Sequence, residues 1–408
     1  MTASAHIVTV GAMPSPGADG AAVAAALGAA GVNVVSRVFV EDDESALERA
    51  LGSDEALTVV LAGGGGSAGD IVRRVLARVT GARLVLNERL LTTLQERYRR
   101  LDRPLPRRAE RLALLPQGAT VWVTADAEAG WTLESGQRAF AVLARDATLQ
   151  TMIARHLAPF AREWAGGRGA SIVARTLRTA GLAAADVEDR LVDWLGRDGE
   201  VTVSTIPADG EVWVRLRARA STAAEATRSL AKAETGICAL LGEDCYGRDG
   251  ETLELVVGRM LLERRLTLAV AESCTGGLLG HRLTSVPGSS SYFERGVLAY
   301  SNRAKEELLG VPESILRAHG TVSGPCAEAM ARGVATLAGA QCALAVTGIA
   351  GPDGGTPTKP VGTVFVGLAV PDETLARRFY FSGDRAAVKW QSTQAALDML
   401  RRSLRGQS

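Results

Sequence analysis

Charge of one sign is what this sequence lacks most plainly: 46 Lys and Arg stand against 45 Asp and Glu, a formal balance of +1. No field arises that would hold a nucleic-acid backbone or an anionic membrane, so binding a polyanion would require a local patch. Cysteine is sparse. The five thiols, Cys238, Cys245, Cys274, Cys326 and Cys342, are odd in number and form no Cys-x-x-Cys pair. A chain of 408 residues needs no staples to hold a core, and the thiols read as reduced, in a cytoplasmic protein. Residues 1–16 show no charged segment followed by a long apolar core, and no later stretch nears the roughly 18 uninterrupted apolar residues of a membrane span. Neither export nor a membrane partner is expected. Histidine, four in all, never stands at ligand spacing from the isolated carboxylates Glu272 and Asp353, so no metal site and no cofactor is expected.

What is present is a rhythm. Short apolar runs at 6–10, 34–40 and 57–62 alternate with helix-like runs at 21–30, 44–51 and 69–79, which predicts a parallel sheet flanked by helices. At this length two or three domains are expected, and no internal repeat is visible. Gly63–Gly66 follows a strand and precedes a helix opened near Asp70, where an α/β sheet commonly holds a phosphate; a plain strand-to-helix loop is the blander reading. From 162 to 249 the pattern changes to helices at 172–180 and 185–195, strands at 201–206 and 211–218, and a helix at 223–241. That ααββα order describes a small α+β module. Arg215, Arg217 and Arg219 alternate beside Trp213, a pattern that suits either nucleic-acid contact or the solvated face of a sheet.

A third region, 250–408, opens with a helix at 252–265 and an apolar run at 266–271. Further strands are expected at 296–301, 343–347, 363–370 and 378–381, and helices at 326–338 and 385–404. Three loops dense in Gly, Ser and Thr flank these runs: AESCTGG from Ala271, PGSSS from Pro287 and TGIAGPDGG from Thr347. Sites assemble at such strand ends. Ser273 and Thr275 stand between a strand and a helix, where a positive helix end suits an anion, or where either hydroxyl caps the helix. Cys274 is a rival nucleophile, but its nearest histidine, His281, lies about two helical turns or 11 Å along.

The segments AESCTGG, PGSSSYFERGVLAYSNRAK, HGTVSGP, AVTGIAGPDGG, KPVGTVFVGLAV and FSGDR, in this order, closely resemble the nicotinamide-nucleotide amidase domain of the CinA/PncC family. The resemblance implies a hydrolase of pyridine nucleotide salvage. Its serine–lysine chemistry converts nicotinamide mononucleotide and water to nicotinate mononucleotide and ammonia without a metal. Position for position, Ser290 falls on the nucleophile and Lys305 on the general base, with Ser273 orienting the lysine or relaying its proton. Tyr300, Thr347, Gly348, Gly351, Arg385 and Thr275 fall on the substrate pocket, and N–H groups around Ser289–Ser291 are expected to form the oxyanion hole. A serine–lysine pair is a known variant of the histidine triad, and its lysine must be desolvated to act as a base near neutrality.

The same resemblance extends to the whole chain as an α/β protein of three domains. These are a molybdopterin-binding-like domain at 1–161 with a parallel sheet, a small α+β module at 162–249, and the α/β amidase domain at 250–408. Relatives with pyrophosphatase activity carry a Gly-Thr-Glu segment and paired aspartates in the first domain. Here the segment reads Val10-Gly11-Ala12-Met13-Pro14 and only Asp70 follows the glycine run. Too few carboxylates remain to hold cations at a pyrophosphate, so this domain is expected to be a degenerate scaffold. The family resemblance also implies a homodimer. The alternative role it suggests is a competence or DNA-damage interaction protein partnering recombination proteins.

Overall fold

The alternation of the first sixty residues becomes alternating strands and helices in the computed structural model. It describes residues 3–11, 18–52, 55–62, 66–123, 130–166, 171–197, 199–208, 210–371 and 373–406. The chain divides into two compact units, residues 1–174 with 217–231 and residues 175–216 with 232–408.

In the first unit, β1 (Ser4–Val10), α1 (Ala18–Ala29), β2 (Asn33–Val40), α2 (Glu44–Leu51), β3 (Leu57–Ala62) and α3 (Gly66–Thr80) follow one another. Then come β4 (Leu84–Leu86), α4 (Glu88–Arg100), β5 (Leu114–Pro116), β6 (Thr120–Trp122), β7 (Gly130–Ser135) and β8 (Arg138–Ala144). Helix α5 (Leu149–Met152) continues through a π-helical turn at Ile153–Leu157 into α6 (Ala158–Ala165). The main sheet runs β2-β1-β3-β8-β7-β6, parallel through β8 and antiparallel beyond it. Strand β3 is buried at every position, as a central parallel strand covered on both faces must be. One face packs Val23, Leu27, Leu157 and Ala161; the other packs Leu47, Leu51, Val75 and Leu76. The glycine run expected to hold phosphate lies, at Gly63–Gly65, outside the described residues, as does Ala12-Met13-Pro14.

The middle module departs from expectation. Residues 172–180, read as a helix, are strand β9 (Ser171–Ala180), followed by α7 (Ala184–Arg190), β10 (Val201–Ala208), β11 (Glu211–Ala220), α8 (Ala223–Leu241) and an unforeseen β12 (Cys245–Arg248). The sheet order is β10-β11-β9-β12. The β-branched Ile172, Val173, Thr176 and Thr179 favour a strand, and antiparallel pairing with β12 provides the partner. Along β11, Val214, Leu216 and Ala218 are buried between the arginines, the alternation of a sheet with one wet face. Trp213 donates to Glu211 at 2.8 Å and lies under the Arg178 guanidinium, so its ring is already in use.

The second unit continues with α9 (Leu253–Arg264), β13 (Leu268–Glu272), α10 (Leu278–Thr284), β14 (Phe293–Leu298), α11 (Asn302–Leu309), α12 (Glu313–His319) and α13 (Gly324–Ala338). It closes with β15 (Cys342–Gly348), β16 (Thr363–Val370), β17 (Glu373–Tyr380) and α14 (Arg385–Gly406). The sheet order is β14-β13-β15-β16-β17, with β14, β13 and β15 parallel and β16 and β17 antiparallel. Strand side chains alternate between faces, and here the faces differ in bulk. Leu268, Val270, Leu344 and Val346 meet Val257, Leu261, Leu279, Leu397 and Leu400 of the α9, α10 and α14 layer. Ala269, Ala271, Ala343 and Ala345 let α13 approach closely through Cys326, Met330 and Val334. No helix among the described residues is long and apolar enough to cross a membrane.

Candidate active site

Strands β13, β14 and β15 run parallel and end side by side, the place where an open α/β sheet collects functional loops. Ser273 N–H bonds Val346 O at 3.0 Å, and Ala299 N–H bonds Glu272 O at 2.9 Å. The chain leaving β13 turns through Gly276 (φ +62°) and Gly277 (φ +93°), conformations glycine adopts without cost. This turn folds the α10 backbone over Glu272, whose buried carboxylate accepts from the N–H groups of Gly277 at 3.0 Å, Leu279 at 3.0 Å and Gly280 at 2.8 Å. Glu272 is therefore the cap of α10, which corrects the reading of Ser273 or Thr275 as N-cap and of this helix end as an open anion site. Its oxygens are committed to backbone. Among the described residues no group of three or more His, Cys, Asp or Glu is arranged to hold a metal ion.

Capping by Glu272 frees both hydroxyls. Thr275 Oγ1 is buried and has no hydrogen-bond partner in the structure, an arrangement costly enough to need an explanation. Ser273 Oγ faces Lys305. Helix α11 starts at the Ser301 cap, whose hydroxyl accepts from Ala304 N–H at 3.1 Å, and this places Lys305 in the first turn with its stem directed under the strand ends. Its Nζ donates to Ser273 Oγ at 3.0 Å, Ala299 O at 2.8 Å and Tyr300 O at 3.1 Å. The residue is 1% exposed. Its three hydrogen-bond acceptors are neutral oxygens, and burial pushes its pKa below the usual lysine range, because charge is costly out of water.

Ser290 lies elsewhere. It is exposed, in the single turn Ser289–Ser291 that precedes β14, while Lys305 belongs to the helix that follows β14. Leu268 N–H bonds Tyr292 O at 2.7 Å and Ala299 N–H bonds Glu272 O at 2.9 Å, so the two groups flank opposite ends of the strand. At about 3.3 Å per residue the intervening backbone spans on the order of 20 Å. Within one chain the structure joins Lys305 to Ser273 and leaves Ser290 apart. The N–H groups of Ser289 and Ser291, expected at an oxyanion hole, bond Val286 O and Gly288 O at 3.1 Å each, which fixes the turn instead.

The other pocket residues gather at the strand ends. Thr347 Oγ1 donates to Thr321 O at 2.8 Å. Arg385, the first residue of α14, donates to Gly351 O at 2.7 Å and to the Tyr300 hydroxyl at 3.1 Å. Gly348 serves packing: a Cβ there would stand 2.7 Å from Val364 Cγ2 and 2.8 Å from Thr363 O. Gly351, at φ +84°, would likewise press on Val361. Sequence reasoning missed Lys389, one turn beyond Arg385 on α14, whose Nζ would lie 3.4 Å from a Cβ at Gly276. The i,i+4 spacing from Arg385 was the signal. Cys274 is buried, and burial pushes its thiol up to about 12; no thiolate is poised there to compete with a serine. In the first unit Asp70, in the second turn of α3, is ion-paired with Arg73 and with Arg111 at 3.2 Å.

Comparison with known proteins covers the whole arrangement. Residues 7–160 match the probable molybdopterin binding domain, 174–247 the damage-inducible protein CinA KH domain and 250–404 the CinA C-terminal domain. A putative competence-damage inducible protein of Symbiobacterium thermophilum is 40% identical over 391 residues, covering 92% of each chain. A CinA-like protein of Syntrophus aciditrophicus is 40% identical over 372 residues, 90% of this chain and 88% of its own. The solved structure of a competence-damaged protein (CinA) superfamily member from Klebsiella pneumoniae is 36% identical, covers 38% of this chain and 96% of its own, and has a TM-score of 0.37. The chain belongs to the CinA family.

Proposed function

We propose that this protein hydrolyses the carboxamide of nicotinamide mononucleotide, giving nicotinate mononucleotide and ammonia, with Ser273, 3.0 Å from the amine, as nucleophile in place of the distant Ser290, and Lys305 as base. The observation that carries the reading is Lys305: a lysine buried among neutral oxygens, one of them the Ser273 hydroxyl, has the environment that makes an amine a usable base. In the reaction, neutral Lys305 takes the Ser273 proton as Oγ attacks the amide carbon. The resulting ammonium returns a proton to the amide nitrogen, the C–N bond breaks and ammonia leaves. Water then adds to the acyl-enzyme, again giving its proton to Lys305, and expulsion of Ser273 Oγ restores the starting state. The Ala299 and Tyr300 carbonyls hold the lysine in place. The unpaired Thr275 hydroxyl is available to the substrate. Arg385 and Lys389 supply positive charge for the phosphate, and Tyr300 offers an aromatic face for the pyridine ring.

Ammonia release from nicotinamide mononucleotide in the presence of chelator tests this. The wild-type chain and Cys274→Ala are expected to be active and Ser273→Ala inactive; a wild-type protein that releases no ammonia overturns the reading.

Two kinetic consequences follow from the site. Lys305 works only when neutral, so kcat/KM is expected to rise with pH along a limb centred below the ordinary lysine value of 10.5. A rate independent of pH, measured from mildly acid to alkaline buffer, contradicts lysine as base. Arg385→Ala removes a charged donor to the bound nucleotide. An increase in KM of about ten- to hundred-fold, larger than the change in kcat, is expected, and an unchanged KM would place the phosphate elsewhere.

A further inference from the structure

Away from the strand ends, two of the five thiols stand together. Cys238, in the last turn of α8, and Cys245, the first residue of β12, have their Sγ atoms 3.8 Å apart. Both are half-buried and neither is in a disulfide. Cys274, Cys326 and Cys342 are buried, and burial pushes their thiols up to about 12, 11 and 11. Cys238 differs. A hydrogen bond from the Cys245 thiol lowers its pKa to about 7 against the opposing effect of burial, and Arg248 adds to the lowering. Donating that bond, with burial, raises Cys245. One sulfur therefore carries charge near neutrality while its neighbour keeps a proton, as stepwise thiol oxidation requires. The chain between them is anchored: Arg401 donates to Glu243 O at 2.9 Å, and Asp244 pairs with Arg190 at 2.7 Å and Arg402 at 2.6 Å. Arg401 stands on α14 sixteen positions beyond Arg385, roughly 24 Å at the helical rise, so the thiols lie outside the amide site. Among the described residues no third ligand joins them to make a metal site.

We propose that Cys238 and Cys245 form a redox-modification site, which hydrogen peroxide closes to an intramolecular disulfide and a small-molecule thiol reopens. The Cys238 thiolate attacks one peroxide oxygen, the O–O bond breaks, and a sulfenic acid forms as hydroxide leaves. Cys245 then attacks the Cys238 sulfur. The S–O bond breaks, and water leaves with the Cys245 proton, while the hydroxide recovers the proton that Cys238 gave up and becomes the second water. The two sulfurs together lose one electron pair, which the peroxide oxygens gain. To bond, the sulfurs close from 3.8 Å to about 2.05 Å. Reopening is exchange: an external thiolate attacks one sulfur, the other leaves as thiolate, and a second external thiol releases the mixed disulfide. The bond also takes the low-pKa thiol out of reach of further, irreversible oxidation.

Peroxide treatment of the reduced full chain, followed by alkylation and trypsin, tests the site. Cleavage after Lys232 and Arg248 gives peptide 233–248, which contains Cys238 and Cys245 and none of the other cysteines. After peroxide this peptide is expected to be two hydrogens lighter than its reduced form and to lose both alkylations, and dithiothreitol is expected to restore them. Alkylation of both thiols after peroxide overturns the proposal, as does a bond from either one to Cys274, Cys326 or Cys342. Conservative variants separate the two roles. In Cys245→Ser the sulfenic acid meets no second thiol, so a dimedone adduct is expected on Cys238; in Cys238→Ser the Cys245 thiol is expected to stay reduced. Dimedone labelling of Cys245 as fast as that of Cys238 overturns the order of attack. These readouts are masses and do not depend on ammonia release.

Discussion

Lys305→Met should lower kcat/KM for ammonia release by about 10²–10⁴-fold, the range a general base contributes, and leave the fold standing. The two halves of that result separate a catalytic lysine from a structural one. Methionine is unbranched and keeps the apolar stem, one heavy atom shorter, so the packing under α11 survives. What is lost is the amine, with its bonds to Ser273, Ala299 and Tyr300. The wild type already bears the cost of holding this amine away from water. Its folded pKa is depressed, so between that value and the ordinary 10.5 the unfolded chain binds more protons than the folded one. Stability contributed through Lys305 therefore rises with pH across that window, and the variant should lose this slope. Activity measured beside urea midpoints at two pH values on either side of the window checks both halves. A variant that is inactive because it is unfolded would refute the assignment.

Gly333→Ala should destabilise the protein by about 1–3 kcal/mol or more, the range for overpacking a closed contact. A Cβ at this position of α13 would fall 1.9 Å from Leu309 O, the last residue of α11. Nothing flexible is there to yield, because the obstacle is backbone. Helix α11 carries Lys305, so moving its C-terminal end to admit a methyl group would also shift the amine relative to Ser273. A lower urea midpoint with an unchanged slope, together with reduced turnover in the folded fraction, is the expected pattern. Wild-type stability in this variant would mean that α11 and α13 are packed less closely than the structure has them.

Much of the C-terminal sheet is legible in the sequence alone. The runs 266–271 and 363–370 are apolar, short and bounded by turn residues, and they became strands β13 (Leu268–Glu272) and β16 (Thr363–Val370). The alternation of bulky and small residues along Leu268-Ala269-Val270-Ala271 even foreshadows the two unequal faces. Ser171–Ala180 failed because its buried residues, Ile172, Leu177, Thr179 and Ala180, follow neither period cleanly, and the pairing that decides its state comes from β12, far along the chain.

At the site, residue types were readable and their partners were not. Lys305 sits in NRAKEELL, which looks solvated, and its burial depends on where β13 and β14 end. Glu272 drew attention as an isolated carboxylate, while its actual work on three α10 N–H groups required the two left-handed glycines. The separation of Ser290 from Lys305 is a matter of topology: fifteen positions apart in sequence, they are divided by a whole strand. Loop spacing alone could not show which end of that strand each one occupies.

Rapid acid quenching of the wild-type protein during turnover of nicotinamide mononucleotide, with mass mapping of the peptides, tests the central claim most directly. The account predicts a nicotinate mononucleotide acyl group on the peptide containing Ser273, at its Oγ. An acyl group on Ser290 or Cys274 instead would contradict it.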